Sequence, residues 1–259
     1  MTSYVLSNRL RWGIRAASLA CAILGWEAIS GSGIVPRSLF PGPVDVAAAA
    51  AEWARGGELL LDLSASLGRA LIGYVVGGSF GLVIGLVSGR SPMVDAVVSP
   101  LIQALRPIPP VSIIPLVILW AGIGDGAKVG ATAFAVFFPI WVATHVGARN
   151  VPQIYLWSGH LLGASPGRQL WAIVLPSALP TVVAGMRMGV ATAFVMVFVT
   201  ELAGASSGLG YRIAIAQSAY RIDVMMAALV VLALAAAATD YLQLALLRAG
   251  FPWLALTGR

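Results

Sequence analysis

Charge is what these 259 residues have least of: Asp, Glu, Lys and Arg together make up 10% of the chain, against about 25% in a soluble domain. With hydrophobic residues at 59% and a mean hydropathy of +0.91, a soluble globule is excluded and a chain that crosses a membrane several times is expected. Cysteine is nearly absent. Cys21 alone, in an apolar segment, rules out a disulfide framework and a thiolate metal site. The two histidines, His145 and His160, cannot build a zinc centre by themselves. The 16 basic residues give a net charge of +6 but are scattered singly. Without a basic stripe they do not point to nucleic acid, and orientation in a membrane explains them better. A phosphate-cradling loop is missing too: the nearest segment, 122–128, has Ala127 where the second glycine should be. No H-E-x-x-H, no metal set and no nucleophile–base set suggests catalysis in this chain.

Apolar runs of spanning length are what the chain does have. Arg9, Arg11 and Arg15 precede a run from Ala16 to about Val35, too long for the apolar core of a signal peptide and without a clear cleavage site, so an uncleaved first span is expected. Residues 36–63 hold Pro36, Pro41, Pro43 and the acids Asp45, Glu52, Glu58 and Asp62, a loop plus one amphipathic helix from Val44 to about Arg55. A second span, about 64–88, places Gly73, Gly77, Gly81, Gly85 and Gly89 along one helical face. That face reads as ordinary close packing of helices, or as a moving gate or dimer seam. The third span, about 97–121, is interrupted by Arg106-Pro107-Ile108-Pro109-Pro110. Such a break persists at membrane depth only where protein or water satisfies the freed carbonyls, so it is either a buried kink or part of a translocation pathway. Further spans follow at about 129–146, 181–203 and 224–247. Glu201, near the outer end of the fifth, is a candidate pathway or gate residue with Ser206 and Ser207 after it. Its plainer reading is a pair with an arginine such as Arg212. Arg187 and Asp240 are expected to pair or to reach the interface.

Between the fourth and fifth spans lies a polar elbow, Trp157 to Pro176, with the grammar of two short helices joined by a tight turn. Gly163 suits a helix C-terminus at positive φ, and Ser165 caps the next helix with Pro166 at its first position. Pro176 and Pro180 are expected to end that helix and bend the chain. Six spans put both termini on one side. Eight basic residues then fall inside and six outside, and the three N-terminal arginines further favour a cytoplasmic elbow and cytoplasmic termini.

At the elbow the chain resembles the membrane subunit of binding-protein-dependent ABC importers. That family carries E-A-A, three residues, G, nine residues, I, one residue, L-P. Gly163, Ile173, Leu175 and Pro176 fall at those spacings, with Trp157, Ser158 and Gly159 in place of E-A-A. Four further segments, 101–110, 118–124, 162–165 and 204–211, resemble the nitrate/sulfonate/taurine permease group. The resemblance implies an all-α polytopic protein, a type I importer permease with six transmembrane helices and a cytoplasmic coupling helix. It implies ATPase contact through Trp157, Ser158, Gly159, His160, Leu161, Leu162, Gly163, Ala164 and Ser165. ATP and Mg would then be bound by a separate ATPase dimer, with none in this chain. The other implied partners are a second permease copy, a periplasmic or lipid-anchored binding protein and the lipids of a bacterial inner membrane. The expected division is an N-terminal segment, first span and loop over 1–63, a permease core over 64–250 and a tail over 251–259. A stand-alone secondary transporter would need inverted repeats and buried ion-coupling acids, and neither is evident.

Overall fold

The computed structural model describes residues 8–255, and among them every regular element is a helix. The chain runs α1 (Asn8–Gly31), α2 (Pro43–Arg55), α3 (Glu58–Arg90), α4 (Pro92–Leu105), a 3₁₀ turn (Pro110–Ile113) leading into α5 (Ile114–Ala121), α6 (Asp125–Arg149), α7 (Gln153–Leu161), α8 (Pro166–Gln169), a π turn (Leu170–Val174), α9 (Leu175–Gly204), α10 (Leu209–Ser218) and α11 (Ile222–Gly250).

Four helical stretches are long and apolar enough to cross a membrane: α3, α6, the continuous run Pro166–Gly204, and α11. A fifth span forms if α4 and the Pro110–Ala121 piece count as one, bent by 82° at residues 106–109. The first of the six expected spans, α1, has 24 residues but carries Arg15 and Glu27 and is less apolar than the rest. The run Pro166–Gly204 corrects the expectation that Pro176 and Pro180 end a helix. The π turn explains how the chain passes through: Leu175 donates its N–H to Leu170 O, five residues back. That wider turn changes the bonding where Pro176, with no N–H, begins the next turn.

Two compact units divide the chain, one from residues up to Leu60 with Arg212–Val230, the other from Leu61–Tyr211 with residues from Val231 on. In the first, α2 begins where Asp45 accepts from the N–H of Gly42 and buries Val46 and Ala49 against Ala227. Arg37 ties the loop before it to Glu27 and Asp45.

The second unit is organised on α6. One side of α6 takes the glycine face of α3. A Cβ on Gly73 would lie 2.7 Å from Thr132 Cβ, on Gly81 2.8 Å from Phe137 O, on Gly85 2.7 Å from Thr144 Cβ, and on Gly77 it would overlap the Ala133 backbone. The glycine ladder is therefore the seam that lets two backbones touch, covered by this chain's own α6. Its other side takes α9, where a Cβ on Gly185 would be 3.0 Å from Pro139 O. Val136, Ile140, Val190, Ala193, Phe194 and Val197 fill the middle.

Candidate functional site

Three features carry the candidate residues. The elbow comes first. In α7 only Leu156 and Gly159 are buried, because this helix lies against the π turn and must come close: a Cβ on Gly159 would collide with Ile173 Cδ1. Gly159 and Ile173, fourteen residues apart, thus form one contact, and a side chain at 159 would require the end of Ile173 to turn away. The turn closes as Gly163, at φ +75°, donates to His160 O at 2.9 Å and Ala164 donates to Gly159 O at 2.9 Å, satisfying the last carbonyls of α7. Gln169 Nε2 adds a bond to Ala164 O at 3.1 Å, and Ser165 Oγ accepts from the Arg168 N–H. Held this way, the turn presents Trp157, His160, Leu161 and Leu162 outward, the two leucines 86% and 87% exposed. The turn lies between two spanning helices and leaves these large apolar side chains in the open. Leu175 and Pro176 open α9 behind it.

The broken span comes second. Arg106, Pro107 and Pro109 are all exposed at the 82° bend. The break is partly satisfied from within: Arg106 donates its N–H to Ile102 O, Ile108 to Leu105 O, and the Ser112 hydroxyl donates to Pro109 O at 2.7 Å. α4 is also tied to the C-terminal end of α6. Asp95 accepts from Ser99 and lies 3.6 Å from Arg149 and 3.8 Å from His145, whose ring stacks on Trp141.

Third is Glu201. Its carboxylate is fully buried and paired with Arg69 Nη1 at 2.6 Å, while Arg212 is paired with Glu58 at 2.6 Å. The expected pairing is real, but its partner is on α3. Ser66 Oγ bonds Glu201 at 2.8 Å and the Gly210 N–H donates to it at 2.9 Å. Arg69 also donates to Asp125, to Ser207 O at 2.7 Å and to Ser207 Oγ. Asp62 accepts from the Gly208 N–H, and Ser66 Oγ from the Leu209 N–H. Gly208, at φ +120°, sits so close to the Glu201 carboxylate that no side chain would fit. The cluster pins the loop 205–210 to the first turns of α3. Ser207 belongs to it; Ser206 is exposed beside it. Among the described residues no hydrogen bond or ion pair joins this cluster to Arg106.

Arg69, Ser66 and Asp62 are missing from the candidates read from sequence, where Arg69 is one of the outer basic residues. The signal was present. Positions 62, 66 and 69 continue the helical face that bears Gly73, Gly77 and Gly81, so the face that must be buried begins with three polar residues that must be paired.

Three stretches, 77–81, 163–167 and 204–208, match G-x-S-x-G, but that motif works on a strand-to-helix turn. Here its serines lie inside α3, at the cap of α8 and in the 205–208 loop. Among the described residues no group of three His, Cys, Asp or Glu could hold a metal.

The model of the binding-protein-dependent transport system inner membrane component family matches residues 61–249. A putative aliphatic sulfonates transport permease protein, SsuC, of Bacillus subtilis (strain 168) is 31% identical over 90% of this chain and 85% of its own length. The taurine transport system permease protein TauC of Escherichia coli (strain K12) is 29% identical over 95% of this chain and 94% of its own. Among solved structures, an inward facing conformation of the MetNI methionine ABC transporter superposes with a TM-score of 0.56 at 23% identity, over 71% of this chain and 93% of that one. That likeness establishes a shared fold.

Proposed function

The chain belongs to the family of binding-protein-dependent transport system inner membrane components, and from that premise we propose that it works as the permease half of an importer for a small organic anion. It is a multi-pass membrane permease, and the solute class follows the sulfonate and taurine permeases that it is similar to. The observation that carries the partner assignment is the elbow, with Leu161 and Leu162 almost fully exposed between membrane-spanning helices. A cytoplasmic ATPase dimer, which holds the ATP and Mg, covers that surface. Trp157 to Ser165 make the contact, with Ile173, Leu175 and Pro176 as the rigid backing that passes the motion into α9. A second copy of the chain completes the pathway, and a periplasmic or lipid-anchored binding protein delivers the solute. The setting is a bacterial inner membrane with both termini in the cytoplasm. Closure of the ATPases on ATP draws the elbows together and turns the cavity outward; hydrolysis resets it.

Within residues 64–250, the permease core, the exposed break at Arg106, Pro107 and Pro109 lines the route. Glu201 and Ser207 act on the route through the 205–210 loop that they anchor, with Ser206 on its free side.

Gly163→Pro tests the elbow. Proline fixes φ near −65° and has no N–H, so it loses both the +75° backbone and the bond to His160 O. Binding-protein-stimulated ATP hydrolysis in reconstituted complexes should fall to the unstimulated rate. Gly163→Asn, which tolerates the left-handed region, should keep most of the stimulation. Full stimulation in the proline variant would reject the docking assignment.

A further inference from the structure

An ion pair joins the interiors of two spanning helices, α9 and α11. Arg187 on α9 donates from Nε to Asp240 Oδ1 at 2.9 Å and from Nη2 to Oδ2 at 2.8 Å. At 1.5 Å per residue, Arg187 is about 18 Å from the start of α9 and about 25 Å from its end. Its side chain is nevertheless 50% exposed, and that of Asp240 29%. A half-exposed pair at that depth is costly against lipid tails, and charged residues inside spans face water or protein.

The surroundings favour a ligand over a purely structural pair. Asp240 occupies one edge of the guanidinium, and Nη1 makes no hydrogen bond among the described residues. One turn from Asp240, the amide of Gln243 and the hydroxyl of Tyr74 are both buried and lie within hydrogen-bonding reach of each other. That contact uses one donor of the amide and leaves its second N–H and its oxygen buried and unsatisfied, which is costly unless something satisfies them. Here three donor-bearing groups, from α3, α9 and α11, are gathered in one region. Glycine at 189 makes the room, since a Cβ there would come within 3.2 Å of the Tyr74 ring. Tyr74 itself, with Gly78, Ser79, Leu82, Ile140 and Met186, lines a cavity of about 170 Å³, apolar apart from the two hydroxyls.

We propose that Arg187, oriented by Asp240, is the anion-reading group of the translocation pathway, with Tyr74 and Gln243 completing a site for a sulfonate-type head and the adjoining cavity taking a short apolar stem. This rests on the permease reading above and locates its solute. A planar fork with a fixed partner suits an anion that must be held briefly and released, because Asp240 takes back the charge when the solute leaves. Asp240 is a positioning residue.

The test uses the permease assembled with its ATPase and binding protein in proteoliposomes, with radiolabelled taurine and methanesulfonate as probes. Copurification with the ATPase confirms assembly. Arg187→Gln should raise the KM of uptake about ten- to a hundredfold, the value of a lost charge-assisted hydrogen bond, with a smaller change in maximal rate. Arg187→Lys, which keeps the charge without the fork, should fall between. Exchanging the charges, Arg187→Asp with Asp240→Arg, should restore assembly without restoring uptake. Uptake at the wild-type KM in Arg187→Gln, or recovered by the exchange, would overturn the inference and leave a structural pair. If Arg187→Gln does not assemble, an unchanged KM in Arg187→Lys overturns it equally. Wild-type complex that imports neither probe would count against the organic-anion reading itself, a separate result.

Discussion

Arg69→Ala is expected to leave little detergent-stable protein. The substitution removes a guanidinium that bonds Glu201, Asp125 and both oxygens of Ser207, and it strands a carboxylate with no exposed surface. Removing one partner of a buried pair costs about 3–5 kcal/mol, of the order of half the stability of a typical domain. Glu201→Gln should be milder. Its amide oxygen still accepts from the Gly210 N–H or Ser66 Oγ, and Arg69 keeps Asp125 and Ser207. Arg69→Lys should fall between, since one ammonium cannot reach three partners in fixed directions. The measurement is the apparent melting temperature of the extracted protein, read by loss of the monodisperse peak on heating. The expected order is wild type, Glu201→Gln, Arg69→Lys, Arg69→Ala. An Arg69→Ala variant as stable as wild type would mean that the cluster carries no structural burden.

The same cluster marks where reading the sequence stopped. Helix identity was legible because apolar runs of twenty residues have few alternatives, and α3, α6 and α11 lie where such runs lie. The elbow was legible for a different reason. Gly163, Ser165 and Pro166 each state a backbone preference that needs no partner, and the structure uses each at its own position. What was hidden is pairing at long range. Glu201 meets Ser66 and Arg69 across more than 130 positions, and no local pattern distinguishes Arg69 from Arg212 as its counterion. The prolines misled in the opposite direction. Pro176 and Pro180 argue locally for a break, but a π turn absorbs the first and α9 runs on through the second, because burial of Val182, Val183 and Val190 on that face outweighs the lost hydrogen bonds. The glycine ladder held two readings until its neighbour was known, and α6 fills it.

That seam yields a prediction whose sign depends on position alone. Within a helix, Gly→Ala is ordinarily stabilising by about 0.5–1 kcal/mol, since alanine loses less chain entropy on folding. Gly68, on the same helix with nothing within 4 Å of the place a Cβ would take, should show that gain. Gly77→Ala should do the reverse. Its Cβ would fall on the Ala133 carbonyl group and Cα, backbone atoms with no rotamer to yield, so α3 and α6 must separate and give up the contacts of Gly73, Gly81 and Gly85 as well. Overpacking of this kind costs about 1–3 kcal/mol, enough to reverse the propensity gain, and Gly77→Leu should exceed it. Insertion into the membrane should survive in every variant, because the apolar length of α3 is unchanged. Gly77→Leu is thus expected to reach the membrane fraction at wild-type levels and to aggregate on extraction, with uptake lost, whereas Gly68→Ala extracts and transports normally. If Gly77→Leu stayed monodisperse and active, α3 and α6 would have to be further apart than the backbone contact at Ala133 allows.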